Sequence, residues 1–344
     1  MTTLFDIDLD GLAHSASSID IPEQVKGRTV HIDADFLAYQ VTFEKEGEEK
    51  TYEDMQHNAE VAVDTLRSLA AAEYVHLHLT PSTSNKGGRY LHAIQKPYQG
   101  NRLDKPKPRY LGIMREWLAK RYPGTLHQFC EADDGMSSCQ YAAIREGNRN
   151  LSIIASKDKD LNMVPGLHLN WETGEIVDAD DFGYVEHDKD KNKLVGFGQK
   201  FFWAQMLVGD TADNIQGLPV VPGRIMNIIK PTAEIDKAML VMANPNATPA
   251  QKAKAKEKYD GRKPGQCGPA TAINLLKQLT SHKQAFTYIR DLYREVGDTI
   301  GFKHHGTGET TKWGNVFLSE AKLLWMRREA HNENCVVNWF KEIA

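Results

Sequence analysis

Leu151-Ser-Ile-Ile-Ala155 runs directly into Ser156-Lys-Asp158-Lys-Asp160. A short, mostly apolar run of this kind reads as a strand buried on both faces, and the acids stand where it ends. Thr29-Val-His-Ile-Asp33 repeats the arrangement, and Leu126–Cys130 running into Glu131 repeats it again. Tyr74-Val-His-Leu-His-Leu-Thr80 is a further strand. Between these runs, residues 57–72 space Ala59, Val63, Leu66 and Ala70 on one helical face. The segments around Leu111–Leu118 and 134–146, the latter closed by Gly147, also read as helices. Strands alternating with helices predict an α/β fold with a central, largely parallel sheet flanked by helices. Neighbouring parallel strands end at one edge, and ligands of open α/β sheets bind outside that edge. Asp33, Glu131 and Asp158 are therefore expected to converge.

Beyond residue 200 the character changes. Phe201–Val208 reads as an apolar helix, and Gly209-Asp210-Thr-Ala-Asp213-Asn214 as a turn or helix start. Gly/Pro-rich loops follow. Residues 221–264 read as an insertion, with Ala/Lys/Glu-rich helix-forming sequence at 251–258. Gln266-Cys-Gly268-Pro-Ala-Thr271-Ala272 then opens an apolar helix through Leu276. Residues 1–27 read as an N-terminal extension, 28–200 as the core, and 301–344 as a C-terminal packing segment in which Trp325 belongs to the interior. The acid-rich runs at 44–54 and 178–190 read as solvated loops or hairpins.

The 344 residues are 41% apolar and 26% charged, the balance of a soluble globular protein. No stretch approaches the roughly 20 apolar residues that span a bilayer. Met1–Asp20 is acidic and lacks the apolar centre of a signal peptide. Cys130, Cys139, Cys267 and Cys335 form no C-x-x-C pair, so neither a structural zinc site nor a disulfide framework is expected, and a reducing cytoplasm fits, the host's if the protein is viral. The net charge of −4 hides an uneven distribution. Lys86 to Arg121 holds ten Lys/Arg against two acids, net +8, so the rest of the chain carries −12. A basic segment on an acidic body suits an enzyme that grips phosphates in one place and metal in another.

Eight acids form four clusters: Asp33; Glu131, Asp133 and Asp134; Asp158 and Asp160; Asp210 and Asp213. Glu131/Asp134 and Asp210/Asp213 are spaced so that each pair shares a helical face. Such a gathering of like charge is unfavourable unless cations neutralise it. Oxygen ligands without nearby His or Cys select two Mg²⁺ ions, with Mn²⁺ as a substitute, over zinc. Two ions would activate a water and stabilise the leaving oxygen of a phosphodiester. Taken singly, Asp33 reads equally well as a strand-end turn residue, Asp133 as an N-cap, and Asp158/Asp160 as an Asx-turn. All four being incidental is the weaker reading.

At these residues the chain resembles the flap-endonuclease/5′-exonuclease family, and within it the compact 5′→3′ exonucleases of T-odd-type bacteriophages. Ile32-Asp33-Ala-Asp35 is similar to the family's first-strand aspartate motif, and Glu131-Ala-Asp133-Asp134 to its E-A-D-D. Ser156-Lys-Asp158-Lys-Asp160 is similar to S-x-D-x-D, and Gly209-Asp210-Thr-Ala-Asp213-Asn214-Ile-Gln-Gly217 to G-D-x-x-D-N-I-x-G. The ordered set spans residues 28 to about 280. The resemblance implies that Asp33, Glu131, Asp133 and Asp158 serve mainly one metal. It gives Asp160, Asp210 and Asp213 to a second metal and Asp134 a shared or supporting role, and it assigns none to Asp35.

Tyr98-Gln99-Gly-Asn-Arg102 resembles the family's Y-K-x-N-R. Arg102 would contact the scissile phosphate. A lysine is usual where Gln99 stands, so Lys96, Lys86 or Arg89 would supply that cation. The acid common after the second strand is replaced by Thr80. The family also carries a helix–three-turn–helix, here within 201–300, that holds duplex backbone. DNA would thus meet Lys86, Arg89, Tyr98 and Gln99 on one segment and Gly217, Gly268 and Thr271 on the other, with 86–121 as an arch or clamp. Lysines of the 221–264 insertion either extend that contact or form a solvated helix. His76 and His78 read as core or edge histidines, and His304-His305 as surface.

The resemblance implies a 5′→3′ exonuclease acting on DNA with a 5′ end, nick or flap, with RNA–DNA hybrids as a further substrate, in phage DNA replication or DNA degradation. No membrane and no obligate protein partner are expected. A flap endonuclease that removes primers is the near alternative. A PIN-type ribonuclease is disfavoured by the G-D-x-x-D-N-I-x-G segment. A non-catalytic DNA-binding protein of the same fold would have lost metal acids that this chain keeps.

Overall fold

The structure, a computed structural model, describes residues 23–45, 47–102 and 106–344. Most of the expected 1–27 extension, residues 1–22, lies outside the described residues, as do 103–105 of the basic stretch. Six strands form the central sheet: β1 (Val25–Asp33), β2 (Ala72–Leu79), β3 (Gly124–Leu126), β4 (Ser152–Ala155), β5 (Gly166–Leu169) and β6 (Ile176–Ala179). Their order is β3-β2-β1-β4-β5-β6. β6 alone pairs antiparallel. Ile32 of β1 lies opposite Leu77 on one side and Ala155 on the other, so β1, β2 and β4 end near one another.

Alternation along the strands feeds two cores. Ile153 and Ala155 pack with α1 (Ala34–Thr42), α2 (Tyr52–Leu69) and α3 (Leu111–Arg121), while Ile154 faces the opposite core with α4 (Ala132–Arg145) and α5 (Gln199–Val208). Two expectations are corrected here. Residues 111–121 are not part of an arch: Leu111, Met114 and Leu118 are buried against the sheet and make α3 one of its covering helices. The third strand is only Gly124–Leu126, and Glu131 reaches the edge as the N-cap of α4.

A hairpin, β7 (Tyr184–Asp188) and β8 (Lys193–Phe197), leads into α5. Every residue of α5 from Phe201 to Leu207 is buried. Around it pack α9 (Pro269–Leu276), α10 (His282–Thr299), α11 (Trp313–Leu324) and α12 (Cys335–Ile343). Trp325 stacks on Trp339 with centroids 4.4 Å apart, which places it in the interior as expected. The 221–264 segment folds as α6 (Gly223–Ile229), α7 (Ala233–Ala243) and α8 (Pro249–Asp260). Val221 and Gly265 exchange backbone hydrogen bonds of 2.7 and 2.9 Å, so the excursion leaves and rejoins the fold at one point. Among the described residues no helix is long and apolar enough to cross a membrane.

Candidate metal centre

Asp33 ends β1 and caps α1, its carboxylate accepting from the Phe36 N–H at 2.9 Å and from the Ser156 hydroxyl at 2.9 Å. Asp133 lies in the first turn of α4, and Asp158 caps the helical turn Lys159–Met163 after β4. Burial raises the pKa of all three, and their mutual repulsion adds to it: Asp158 and Asp33 act on Asp133, and Asp35 and Asp158 on Asp33. Burial also raises Glu131, against the Arg89 charge. Carboxyls perturbed in this way and gathered at a sheet edge make a candidate functional centre. Thr80 occupies the place of the missing strand-end acid, and its N–H donates to Asp35 at 2.9 Å. Asp35, in the first turn of α1, thus brings a carboxylate to that place, where Arg115 pairs with it at 3.0 Å.

The fourth segment closes the site. Asp210 and Ile215 exchange backbone hydrogen bonds of 2.9 and 2.7 Å, a tight loop that presents Asp210 and Asp213. Gly209 (φ 74°) and Gly217 (φ 65°) meet back to back, where a β-carbon on Gly217 would lie 2.3 Å from the Gly209 nitrogen. Oxygens of Asp160, Asp210 and Asp213 all lie within 4.8 Å of one another. Lys159 stands among them, its Nζ 2.6 Å from Asp160 and 2.8 Å from Asp210. Gln205 of α5 donates to Asp160 at 2.5 Å. An oxygen-only donor set already holding an ammonium fits a hard divalent cation. Asp33, Asp133, Asp158 and Glu131 form the neighbouring acids that a second ion would use.

The 97–102 segment docks on the 211–214 loop. The Gln99 N–H donates to the Asp213 carbonyl at 2.9 Å, Asn101 to the Thr211 carbonyl at 2.9 Å, and Asn214 to the Pro97 carbonyl at 2.9 Å. Arg102 reaches the Asp213 carboxylate at 2.5 Å and remains half-exposed, which places it beside the acids. Lys86 Nζ donates to Gln99 Oε1 at 2.8 Å, whereas Lys96 is exposed on the side of Glu320. Of the cations considered for the Gln99 position, Lys86 is therefore the one brought there.

Four assignments change. Arg89, expected on DNA, is 1% exposed and pairs with Glu131 at 2.9 Å and Asp134 at 2.6 Å. Asp134 is 0% exposed and also accepts the Arg327 N–H at 3.1 Å, so its carboxylate braces the chain and does not face the centre. Tyr98 is turned inward, its hydroxyl 3.0 Å from Glu131 and 3.2 Å from Asp213. The Gly217 N–H donates to Glu320 at 2.8 Å and its carbonyl accepts from Gln95 at 2.8 Å, which leaves no backbone group there for a phosphate. Gly268 is the N-cap of α9 with no side-chain cap, and Thr271 lies half-buried in its first turn, positions that keep amide donors available to an anion.

Lys159, Gln205 and Glu320 were not singled out in the sequence. Lys159 was visible as the cation between two acids; the other two gave no local signal. His76 and His78 belong to a larger group. His31 and His78 approach to 3.0 Å, as do His78 and His127. Burial holds His31 near 3, His127 near 4 and His78 well below the usual value, so these imidazoles are neutral at pH 7.

No protein-family model matches the chain, and no curated protein sequence does. Among solved structures it is similar to a bacteriophage T5 flap endonuclease in a pseudo-enzyme–product complex with DNA and metal ions, at 14% identity and a TM-score of 0.47, over 92% of this chain and 97% of that one. It is similar to the T5 5′-exonuclease with divalent zinc bound at 16% identity and a TM-score of 0.44, over 92% of this chain and 98% of that one. A T5 protein co-crystallised with metal ions, at 14% identity and a TM-score of 0.44, likewise covers 92% of this chain and is covered over 98% of its own length.

Proposed function

We propose that this chain is a divalent-metal-dependent 5′→3′ exonuclease that hydrolyses phosphodiester bonds of duplex DNA at 5′ ends, nicks or flaps. The observation that carries the reading is the convergence of acids from four segments, closed by Asp160, Asp210 and Asp213 with oxygens within 4.8 Å. These three residues, with Asp33, Asp133, Asp158 and Glu131 beside them, would hold two Mg²⁺ ions. Bound ions of this kind make a water acidic enough to attack at neutral pH and neutralise charge on the phosphate.

The chain's own cations complete the site. Arg102 leaves Asp213 for the scissile phosphate once that carboxylate serves a cation. Lys86, held by Gln99, supplies the second positive charge beside the phosphate. The amides of α9 near Gly268 and Thr271 hold duplex backbone downstream without reading sequence.

The test is cleavage of 5′-labelled blunt, nicked, flap and RNA–DNA substrates with Mg²⁺ or with EDTA. Cutting that needs Mg²⁺ and begins at 5′ ends is expected. Cutting in EDTA, or none on any 5′-ended substrate, overturns the reading. Lys86→Ala should slow single-turnover cleavage by roughly 10²-fold, and Lys96→Ala by no more than a few-fold. The reverse order would move the assisting cation to Lys96.

A further inference from the structure

Behind the acid centre, on the same side of β1 as Asp33, lies a group of side chains that the proposed reaction does not use. His31 stands two residues before Asp33, so it shares that face. His31 Nδ1 lies 3.0 Å from His78 Nε2, and His78 Nδ1 lies 3.0 Å from His127 Nε2. His127 Nδ1 lies 3.4 Å from Cys130 Sγ. Helix α4 packs closely over these rings. Gly135 permits the approach, since a β-carbon there would lie 2.1 Å from the His127 ring. One turn further along α4, Cys139 places its sulfur so that ligand atoms of Cys139, His31 and His78 all lie within 4.8 Å of one another. A cavity of about 580 Å³ opens beside them, lined by His78, His127, Cys139, Glu329 and His331.

We propose that His31, His78 and Cys139 form a second metal site, for a single zinc ion, chemically distinct from the carboxylate centre. Two imidazoles and a thiolate are the donor set of zinc and disfavour magnesium, whose ligands are oxygens. Zinc bonds of roughly 2.0–2.3 Å set tetrahedral ligand atoms roughly 3.3–3.6 Å apart, so the Cys139 sulfur must approach by up to about an ångström while the His31–His78 pair, now at 3.0 Å, opens slightly. The ion takes the place of the proton now shared between His31 Nδ1 and His78 Nε2, and that proton moves to His31 Nε2, so that His31 binds as a neutral imidazole. Cys139 binds as the thiolate, and its proton passes to solvent. The remaining bonds then orient the ligands. With Nε2 of His78 on the metal, its proton resides on Nδ1 and is donated to His127 Nε2. His127 in turn donates from Nδ1 to Cys130. A hydrogen-bonded second layer of this kind fixes the tautomer of a metal-bound histidine. The fourth coordination position faces the cavity.

The test uses the full chain, stripped with a chelator and titrated with Co²⁺ in excess Mg²⁺, which keeps the carboxylate centre filled. A single equivalent of cobalt with a thiolate charge-transfer band is expected, and zinc should displace it. Cys139→Ser should remove the band, and His78→Gln should weaken binding by about tenfold or more. Asp160→Asn should change neither. Zinc should also slow alkylation of Cys139 in the unsubstituted chain, read by peptide mapping, a measurement that depends on no variant folding. Absence of a thiolate band together with equal alkylation with and without zinc would overturn the site. So would cobalt binding that Asp160→Asn abolishes.

Discussion

Asp133 and Asp134 are adjacent in sequence and opposite in role. Asp134 is sealed between Arg89 and the Arg327 backbone, so its charge is compensated on all sides. Asp133 has other carboxylates for neighbours and is held above its usual pKa by burial and by Asp158 and Asp33. Removing one partner of a buried pair strands the other charge, which costs about 3–5 kcal/mol. Asp134→Ala should therefore lower unfolding free energy by that amount in urea titrations, with or without metal. Asp133→Ala removes repulsion, so in EDTA it should leave stability unchanged or higher while abolishing cleavage. Lys159 offers a second comparison. It offsets Asp160 and Asp210 from a half-exposed position. Lys159→Ala should cost about 1–2 kcal/mol in EDTA, a discounted value because water screens the pair. Mg²⁺ should restore that loss, and the Mg²⁺ midpoint for cleavage should fall. A loss that Mg²⁺ does not recover would mean that Lys159 does not share the metal's place.

At the scale of elements, β1, β2, β4 and helices α2 to α5 were legible because buried parallel strands and amphipathic helices leave different periodicities, whereas α1, β5 and β6 went unread and the third strand was placed a few residues late. The acids at strand ends were legible for the same reason: topology brings such positions to one edge. What could not be read were contacts across long sequence separations. Arg89 looked like any lysine or arginine of the basic stretch, and only packing shows that it lies under Glu131 and Asp134. Gly217 looked like a phosphate loop until Glu320, on α11, was found on its N–H. That contact makes a pH prediction. Burial pushes the Glu320 carboxyl up to about 7 from the model-compound 4.5, against the pull of Gln95, the Gly217 amide and Lys96. Between these values the folded state binds a proton that the unfolded state lacks, so stability is fullest below 4.5 and falls as pH rises through 7. The fall is about 1.4 kcal/mol per pH unit across the window, on the order of 3 kcal/mol in all. Glu320→Gln keeps an acceptor for Gly217 and should flatten that part of the profile in urea unfolding at pH 5 and pH 8. An unchanged slope would assign the pH dependence to other groups.

For the whole molecule, the 221–264 excursion is an addition to the α/β core and its helical cap. Its helices differ in attachment. α6 belongs to the core through Ile225 and Met226, whereas α7 and α8 bury only Ile235, Ala238 and Ala255. The base of the excursion is tied independently of its tip: Arg262 donates to the Lys230 carbonyl at 2.7 Å, and Asn227 to the Tyr259 carbonyl at 2.7 Å. Residues 231–258 can therefore be replaced by a short glycine-rich link without opening the core, and the unfolding midpoint should stay within about 3 °C. The lysines of α8 are partly spent on the hairpin itself, since Lys256 pairs with Asp260 at 2.9 Å and Lys258 with Glu234 at 3.3 Å. Each phosphate contact contributes about one to the slope of log affinity against log salt. With Lys237, Lys252 and Lys254 the remaining lysines removed, excision should change that slope by no more than about 3 and leave cleavage at saturating DNA intact. A loss of about 4 or more in slope, measured by DNA binding in Ca²⁺ across a salt series, would show instead that the hairpin grips the duplex and that its internal ion pairs open to do so.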